Sequence, residues 1–343
     1  MQKKLLIRAD GNAVIGAGHI MRCVSIGNEA KKLGIDVLFV TADKSFLPVL
    51  TRNKFRISVL GSEYNKMENV LDEIIAVINE EKPDVMILDS YFATARYMMT
   101  LNGIVKLAYI DDVLTFPYPV DTLINYNIYA SRENYKRLYY IKNLPKMLLG
   151  CSYMPLRDEF QSGKIIKINK QVKNVLFSAG GADPERIALR FVRSIVLNRQ
   201  LSDTVFHIIL GSFEPDIDEI EEIGLHHHNI VTHSNISCMS ELMLQCDLAI
   251  SAAGSTLYEL CACGVPTITY VLDDNQVPGA TAFSDLGVMI NAGDYRFDSD
   301  LIKNIIDKMS NVSSDVLKRL EMQSKGLSII DGKGAKRIIQ EIM

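Results

Sequence analysis

The six cysteines of this chain (Cys23, Cys151, Cys238, Cys246, Cys261 and Cys263) form no C-x-x-C pair and lie mostly among apolar residues. That spacing argues against a disulfide framework, and reduced, buried thiols in a cytoplasmic protein are expected. An excess of positive charge is also lacking: the net charge of −4 argues against a nucleic-acid partner. No window approaches the ~20 apolar residues that a membrane-spanning helix needs. The apolar stretch after Met1-Gln2-Lys3-Lys4 is too short for a signal peptide and is interrupted by Arg8 and Asp10, so neither secretion nor a membrane partner is expected. Asn235-Ile236-Ser237 and Asn311-Val312-Ser313 match the glycosylation pattern, which has no meaning without secretion. Short repeats, low-complexity tracts, a P-loop and a strict G-x-G-x-x-G are all missing. His226-His227-His228 is expected in a solvated loop, because sequential neighbours point apart and no carboxylate or cysteine completes a metal-site spacing. Neither a metal nor a cofactor is expected.

What is present is an ordinary globular composition, 48% hydrophobic and 23% charged over 343 residues, long enough for two cores. Strand-like runs at 5–9, 37–41, 56–59, 85–89, 105–110 and 122–125 alternate with helical patterns. The clearest helix is 67–80, where Val70, Leu71, Ile74, Ile75 and Ile78 recur at helical spacing. A second series has strands at 172–178, 205–210, 230–232, 248–251, 267–271 and 288–291. Its helices fall at 184–198, 239–245 and 255–263, and the chain is helical thereafter. The pattern predicts an α/β protein with two Rossmann-like, doubly wound parallel-sheet domains, residues 1–156 and 157–343, facing across a cleft. A polar, Lys-rich stretch at 157–171 marks the break.

Three glycine-containing turns follow strands: Gly16-Ala17-Gly18-His19, Ser178-Ala179-Gly180-Gly181-Ala182-Asp183-Pro184 and Ser251-Ala252-Ala253-Gly254-Ser255-Thr256. Glycine lets a ligand approach the backbone, and a helix N-terminus offers unpaired N–H groups and partial positive charge. Asp183 is expected as an N-cap with Pro184 in the first helical turn. His19 could exchange a proton with a ligand or could simply cap its helix. Glu259 could take hydrogen bonds from ribose hydroxyls or be a solvated carboxylate. Asp111-Asp112, Asp89-Ser90-Tyr91 and Asn275-Gln276 also end strands; Asp111-Asp112 could bind a cation, position a sugar hydroxyl or cap a turn. His207, inside a strand pattern, reads as a satisfied core residue.

Ile7-Arg8-Ala9-Asp10 followed by Ile15-Gly16-Ala17-Gly18-His19-Ile20-Met21-Arg22 resembles the opening of the PseG family, the UDP-2,4-diacetamido-2,4,6-trideoxy-β-L-altropyranose hydrolases of pseudaminic acid biosynthesis. The resemblance continues through Leu88-Asp89-Ser90-Tyr91, Ile110-Asp111-Asp112, Leu156-Arg157-Asp158-Glu159-Phe160, Gly180-Gly181-Ala182-Asp183 and Tyr270-Val271 with Asn275-Gln276, and so covers nearly the whole chain. It departs at Ser90, where the family pattern has histidine, and at 252–256, which looks more transferase-like. More distantly the chain is similar to MurG-type glycosyltransferases of GT-B architecture.

The resemblance implies an enzyme with a UDP-sugar as its small-molecule partner, bound chiefly through its nucleotide by the second domain; a monomer is expected. His19 is implied as the general base, and Tyr91 and Asn275 as catalytic positions orienting sugar or water. Substrate binding is expected of Arg8, Asp10, Gly16, Gly18, Arg22 and Asp111 in the first domain. In the second it is expected of Arg157, Gly180, Gly181, Ser251, Gly254, Ser255, Thr256, Glu259 and Gln276. Alternatives left open are a MurG-like glycosyltransferase and a non-catalytic nucleotide-sugar-binding protein.

Overall fold

Parallel strands covered by helices on both faces must be apolar on both faces, and the chain meets that condition twice. The computed structural model describes residues 2–12, 14–139, 144–181, 183–211 and 214–343. It divides into unit 1, Met1–Arg157 with Gly332–Met343, and unit 2, Asp158–Asp331.

In unit 1, β1 (Lys4–Ala9), α1 (Gly18–Lys32), β2 (Asp36–Thr41), α2 (Leu47–Arg52), β3 (Arg56–Val59), α3 (Leu71–Glu81) and β4 (Val85–Asp89) alternate. They are followed by α4 (Ala95–Asn102), β5 (Leu107–Ile110), β6 (Thr122–Asn125), α5 (Arg132–Leu138) and β7 (Lys146–Leu149). The strands pair in parallel in the order β3-β2-β1-β4-β5-β6-β7. Leu6, Met86 and Leu88 from the central strands pack with Tyr97, Met98 and Leu101 of α4 in one buried cluster.

Unit 2 repeats the plan with β8 (Asn174–Ser178), α6 (Ile187–Leu197), β9 (Val205–Leu210), α7 (Ile217–His226), β10 (Ile230–Ser234) and α8 (Met239–Met243). It continues with β11 (Leu248–Ala252), α9 (Thr256–Cys263), β12 (Thr267–Val271), α10 (Val277–Asp285), β13 (Met289–Asp294), α11 (Leu301–Ser314) and α12 (Val316–Ile329). Its parallel order is β10-β9-β8-β11-β12-β13. Phe177 stacks on Phe191 at 4.4 Å in the core between β8 and α6. No described helix is long and apolar enough to cross a membrane.

Three features depart from the sequence expectations. The polar stretch before β8, which marks the break in the sequence, is pinned inside unit 2: buried Arg319 donates to the Asn169 and Lys170 carbonyls at 2.8 and 3.0 Å, and Gln323 donates to that of Ile166 at 2.9 Å. α6 begins at Ile187, three residues beyond Pro184, yet Asp183 still accepts from the Ala188 N–H at 2.7 Å. The third departure is the last helix, α13 (Gly334–Ile342), which belongs to unit 1 although the expected second domain ran to residue 343. Its apolar stripe, Ala335, Ile338, Ile339 and Ile342, is buried, and the helix packs on α1. Lys3, Lys106 and Lys146 donate to the Met343, Ile342 and Glu341 carbonyls at 2.5, 2.7 and 2.8 Å, placing cations where the helix dipole is negative.

α13 approaches so closely that a Cβ on Gly334 would lie 2.1 Å from the Met154 carbonyl oxygen. Gly334→Ala is expected to destabilise the protein by about 1–3 kcal/mol through overpacking against rigid backbone. Urea unfolding midpoints measure it, and an unchanged midpoint would contradict the tight seat.

Candidate functional site

Open parallel sheets bind ligands beyond the carboxyl ends of their strands, where strand order reverses. In unit 1 the reversal lies between β1 and β4, whose last residues, Ala9 and Asp89, are register partners. The loop leaving β1 is shaped by Asn12, whose Oδ1 accepts from the Val14 and Ile15 N–H groups at 2.9 and 3.0 Å. Gly16 has φ +71°, a conformation suited to glycine, and a Cβ on Gly16 or Gly18 would meet nothing within 4 Å. Ala17, at the N-cap of α1, supplies no side-chain cap. His19 thus enters the first helical turn beside open backbone.

His19 Nδ1 lies 2.6 Å from Asp89 Oδ1 in a buried setting. Arg22, one turn along α1, donates from Nε to Asp89 Oδ2 at 2.6 Å and from Nη2 to Oδ1 at 2.5 Å. Its Nη1 reaches Asp112 Oδ2 at 3.0 Å and the Tyr126 hydroxyl oxygen at 2.6 Å. Burial would raise the Asp89 carboxyl, but Arg22 and His19 outweigh it and hold the group at about 2. Asp89 is therefore ionised and acceptor-only, so the N–H in this contact belongs to His19 Nδ1, which Arg22 Nη2 also approaches at 3.0 Å, and in the neutral imidazole the lone pair is then on Nε2. Cys23 donates to Asp89 Oδ2 at 3.5 Å, and burial and that carboxylate push its thiol up, leaving it no nucleophile. The Tyr91 ring stands edge-on to His19, centroids 4.4 Å apart at 80°, with about half its surface exposed.

Not every expected residue faces this site. Arg8 is fully buried and donates to Asp10 Oδ2 at 2.5 Å, while Asp10 Oδ1 accepts from the Ala42 N–H at 2.6 Å. Because β1 is central, residues on it face packed helices, and these two tie β1 to the segment after β2. Asp111 is turned inward as well, accepting from the Tyr118 and Tyr135 hydroxyls at 2.7 and 2.5 Å and from the Val113 N–H at 3.0 Å. Successive residues at a strand end point to opposite sides, so Asp112 reaches the His19 network instead. Asp89 and Asp112 stand in the sequence as strand-end carboxylates outside the assigned catalytic and binding residues, and Tyr126 is not singled out there. Asp89 is readable as a strand-end carboxylate, but only strand order shows that it adjoins His19.

In unit 2 the order reverses between β8 and β11, where Ser178 and Ser251 are register partners. Both remaining glycine turns leave the sheet there. Gly180 (φ +99°) and Gly181 are exposed, with nothing within 4 Å of a Cβ on either, and Ala182 lies outside the described residues. Gly211, after β9, seats this turn: a Cβ on it would lie 2.5 Å from the Gly180 and Gly181 carbonyl oxygens. Gly254 and Ser255 are exposed, Thr256 is half-buried, and no side chain caps α9. Ser251 is turned inward, donating to the Ala252 carbonyl at 3.0 Å. Glu259 lies in the first turn of α9, half-buried. Asn275 is exposed in a 3₁₀ turn that Gln276 closes by accepting from the Leu272 N–H at 2.9 Å; Gln276 is thus spent on its own loop. Arg157, half-buried, ends the first segment of unit 1.

His207 is half-buried and satisfied, bridging Asn174 Oδ1 at 3.2 Å and His233 Nε2 at 3.0 Å. Among the described residues, no three His, Cys, Asp or Glu side chains are placed to hold a metal ion.

Residues 175–342 match the model of the glycosyltransferase family 28 C-terminal domain. The chain is 26% identical to the UDP-2,4-diacetamido-2,4,6-trideoxy-beta-L-altropyranose hydrolase of Campylobacter jejuni, over 83% of this chain and 97% of that protein. It is 23% identical to the spore coat polysaccharide biosynthesis protein SpsG of Bacillus subtilis, over 97% of this chain and 95% of that one. It is 25% identical to an uncharacterized Methanocaldococcus jannaschii protein over 80% of this chain, but spans only 56% of that relative's length. In fold it is similar to Acinetobacter baumannii MurG, with TM-score 0.69 at 12% identity over 99% of both chains. The fold is of GT-B type, residues 175–342 are similar to the family 28 glycosyltransferase C-terminal domain, and the homologues include a PseG UDP-sugar hydrolase.

Proposed function

We propose that the chain is a nucleotide-sugar hydrolase that releases UDP from UDP-2,4-diacetamido-2,4,6-trideoxy-β-L-altropyranose, in the pathway to pseudaminic acid. The observation that carries this reading is the buried Asp89–His19 pair, which leaves Nε2 of His19 as a base beside open glycine backbone. The named activity of the Campylobacter jejuni relative supports it. Water attacks C1 of the sugar while His19 takes its proton, and displacement from the opposite face inverts C1. Nucleotide binding is assigned to unit 2, where the exposed N–H groups at Gly180-Gly181 and Gly254-Ser255 suit a diphosphate and Glu259 a nucleotide sugar; Arg157, at the end of the first segment of unit 1, is a further binding candidate and Asn275 a catalytic one. One exposed helix N-terminus contributes only ~0.3–1 kcal/mol, so several donors act together.

A second reading, glycosyl transfer to an alcohol, is favoured by the family 28 match. Incubation with a panel of UDP-sugars and no acceptor separates the two. UDP release with an inverted free sugar, followed by NMR, is the expected result. Release only when an acceptor alcohol is added would replace hydrolysis by transfer, and binding without turnover would exclude both.

A further inference from the structure

The hydrogen-bond chain that starts at His19 continues past Arg22. Asp112 Oδ2, which accepts from Arg22 Nη1 at 3.0 Å, also accepts the Tyr91 hydroxyl proton at 2.9 Å. A phenol has one proton to donate and lone pairs with which to accept. With that proton committed to Asp112, Tyr91 shows only lone pairs to a ligand. In neutral His19, whose Nδ1 is engaged by Asp89, the lone pair is likewise at Nε2. The two rings are in contact, and Tyr91 is half exposed.

We infer that Asp112 is a positioning residue that makes Tyr91 a hydrogen-bond acceptor, so that the attacking nucleophile meets two acceptors. Water has two protons and satisfies both. An alcohol has one, and would leave the second acceptor facing carbon. The inference rests on the hydrolase reading and gives it a physical reason for choosing water. In the step itself the water oxygen bonds to C1, and the bond from C1 to the diphosphate oxygen breaks, its electron pair leaving with UDP. One water proton passes to Nε2 of His19 and then to solvent. The other, held by Tyr91 during attack, stays on the new sugar hydroxyl.

The test is turnover of the UDP-sugar in water–methanol mixtures, scoring methyl glycoside against free sugar by NMR. Tyr91→Phe and Asp112→Ala are each expected to lower kcat, leave KM within about twofold, and raise the methanolysis-to-hydrolysis ratio about three- to tenfold, the worth of one hydrogen bond. Asp112→Glu, which keeps an acceptor, is expected to restore part of the wild-type ratio. Tyr91 is half exposed, so its variant stays informative even where loss of Asp112 disturbs folding. An unchanged ratio in Tyr91→Phe, or an effect confined to KM, overturns the inference. Failure of the parent reading looks different: wild type releasing no UDP, or His19→Ala releasing it normally, removes the reading and the inference together.

Discussion

His19→Ala is expected to slow UDP release about 10²–10⁴-fold, the usual worth of a positioned general base, while the protein stays folded. The geometry explains why rate and stability separate. Asp89 keeps both of its Arg22 bonds, at 2.5 and 2.6 Å, when the imidazole is removed, so no buried charge is stranded. The loss falls on kcat rather than KM, because His19 is proposed to meet the nucleophile and not the nucleotide. Added imidazole is expected to restore part of the rate. Steady-state UDP release beside a thermal melt measures both halves, and near-normal turnover with intact folding would remove His19 from the mechanism.

Asp89→Ala is expected to damage both fold and rate. It leaves the Arg22 guanidinium buried with Asp112, Tyr126 and the nearby His19 Nδ1, and breaking a buried pair costs about 3–5 kcal/mol. Those remaining partners place the effect at the lower end, about 3 kcal/mol, or roughly 6–12 °C in Tm. Asp89→Asn keeps the shape but not the charge, and can turn its amide N–H towards His19, favouring the wrong tautomer. It should therefore lose kcat with less loss of stability. The pH dependence follows from the same carboxyl. Held at about 2 in the fold against an ordinary value near 3.9, it contributes stability that is present above about pH 4 and lost as pH falls towards 2. That contribution is about 2–3 kcal/mol. Urea midpoints between pH 6 and 3 should fall more steeply for the wild type than for Asp89→Asn; parallel curves would mean that Asp89 is not the group responsible.

The alternation of strands and helices was legible because a parallel strand buried on both faces needs a near-continuous apolar run, which residues 5–7 and 85–88 display. β7 was not legible: Lys146-Met147-Leu148-Leu149 has no β-branched residue and lies at a sheet edge, where only Leu148 is buried. α13 was legible as a helix, but its membership in unit 1 depends on contact with α1, which no local pattern encodes. The catalytic candidates divide in the same way. His19 and Tyr91 announce themselves by residue type beside glycine or at a strand end. Asp89 becomes the partner of His19 only through the pairing of β4 with β1, and the choice between Asp111 and Asp112 turns on which way one side chain points.

Unit 2 is inserted between two segments of unit 1, and this sets an order of events during synthesis. Domains made from continuous chain can fold as they emerge, at roughly 5–20 residues per second. Unit 2 is continuous, whereas unit 1 waits for α13. The face of α1 that α13 covers therefore stays open for roughly 10–35 s while residues 158–331 are translated, as that rate implies. The unit that begins first finishes last, and a stall before α13 is made would leave the His19 unit incomplete while the inserted unit is already whole.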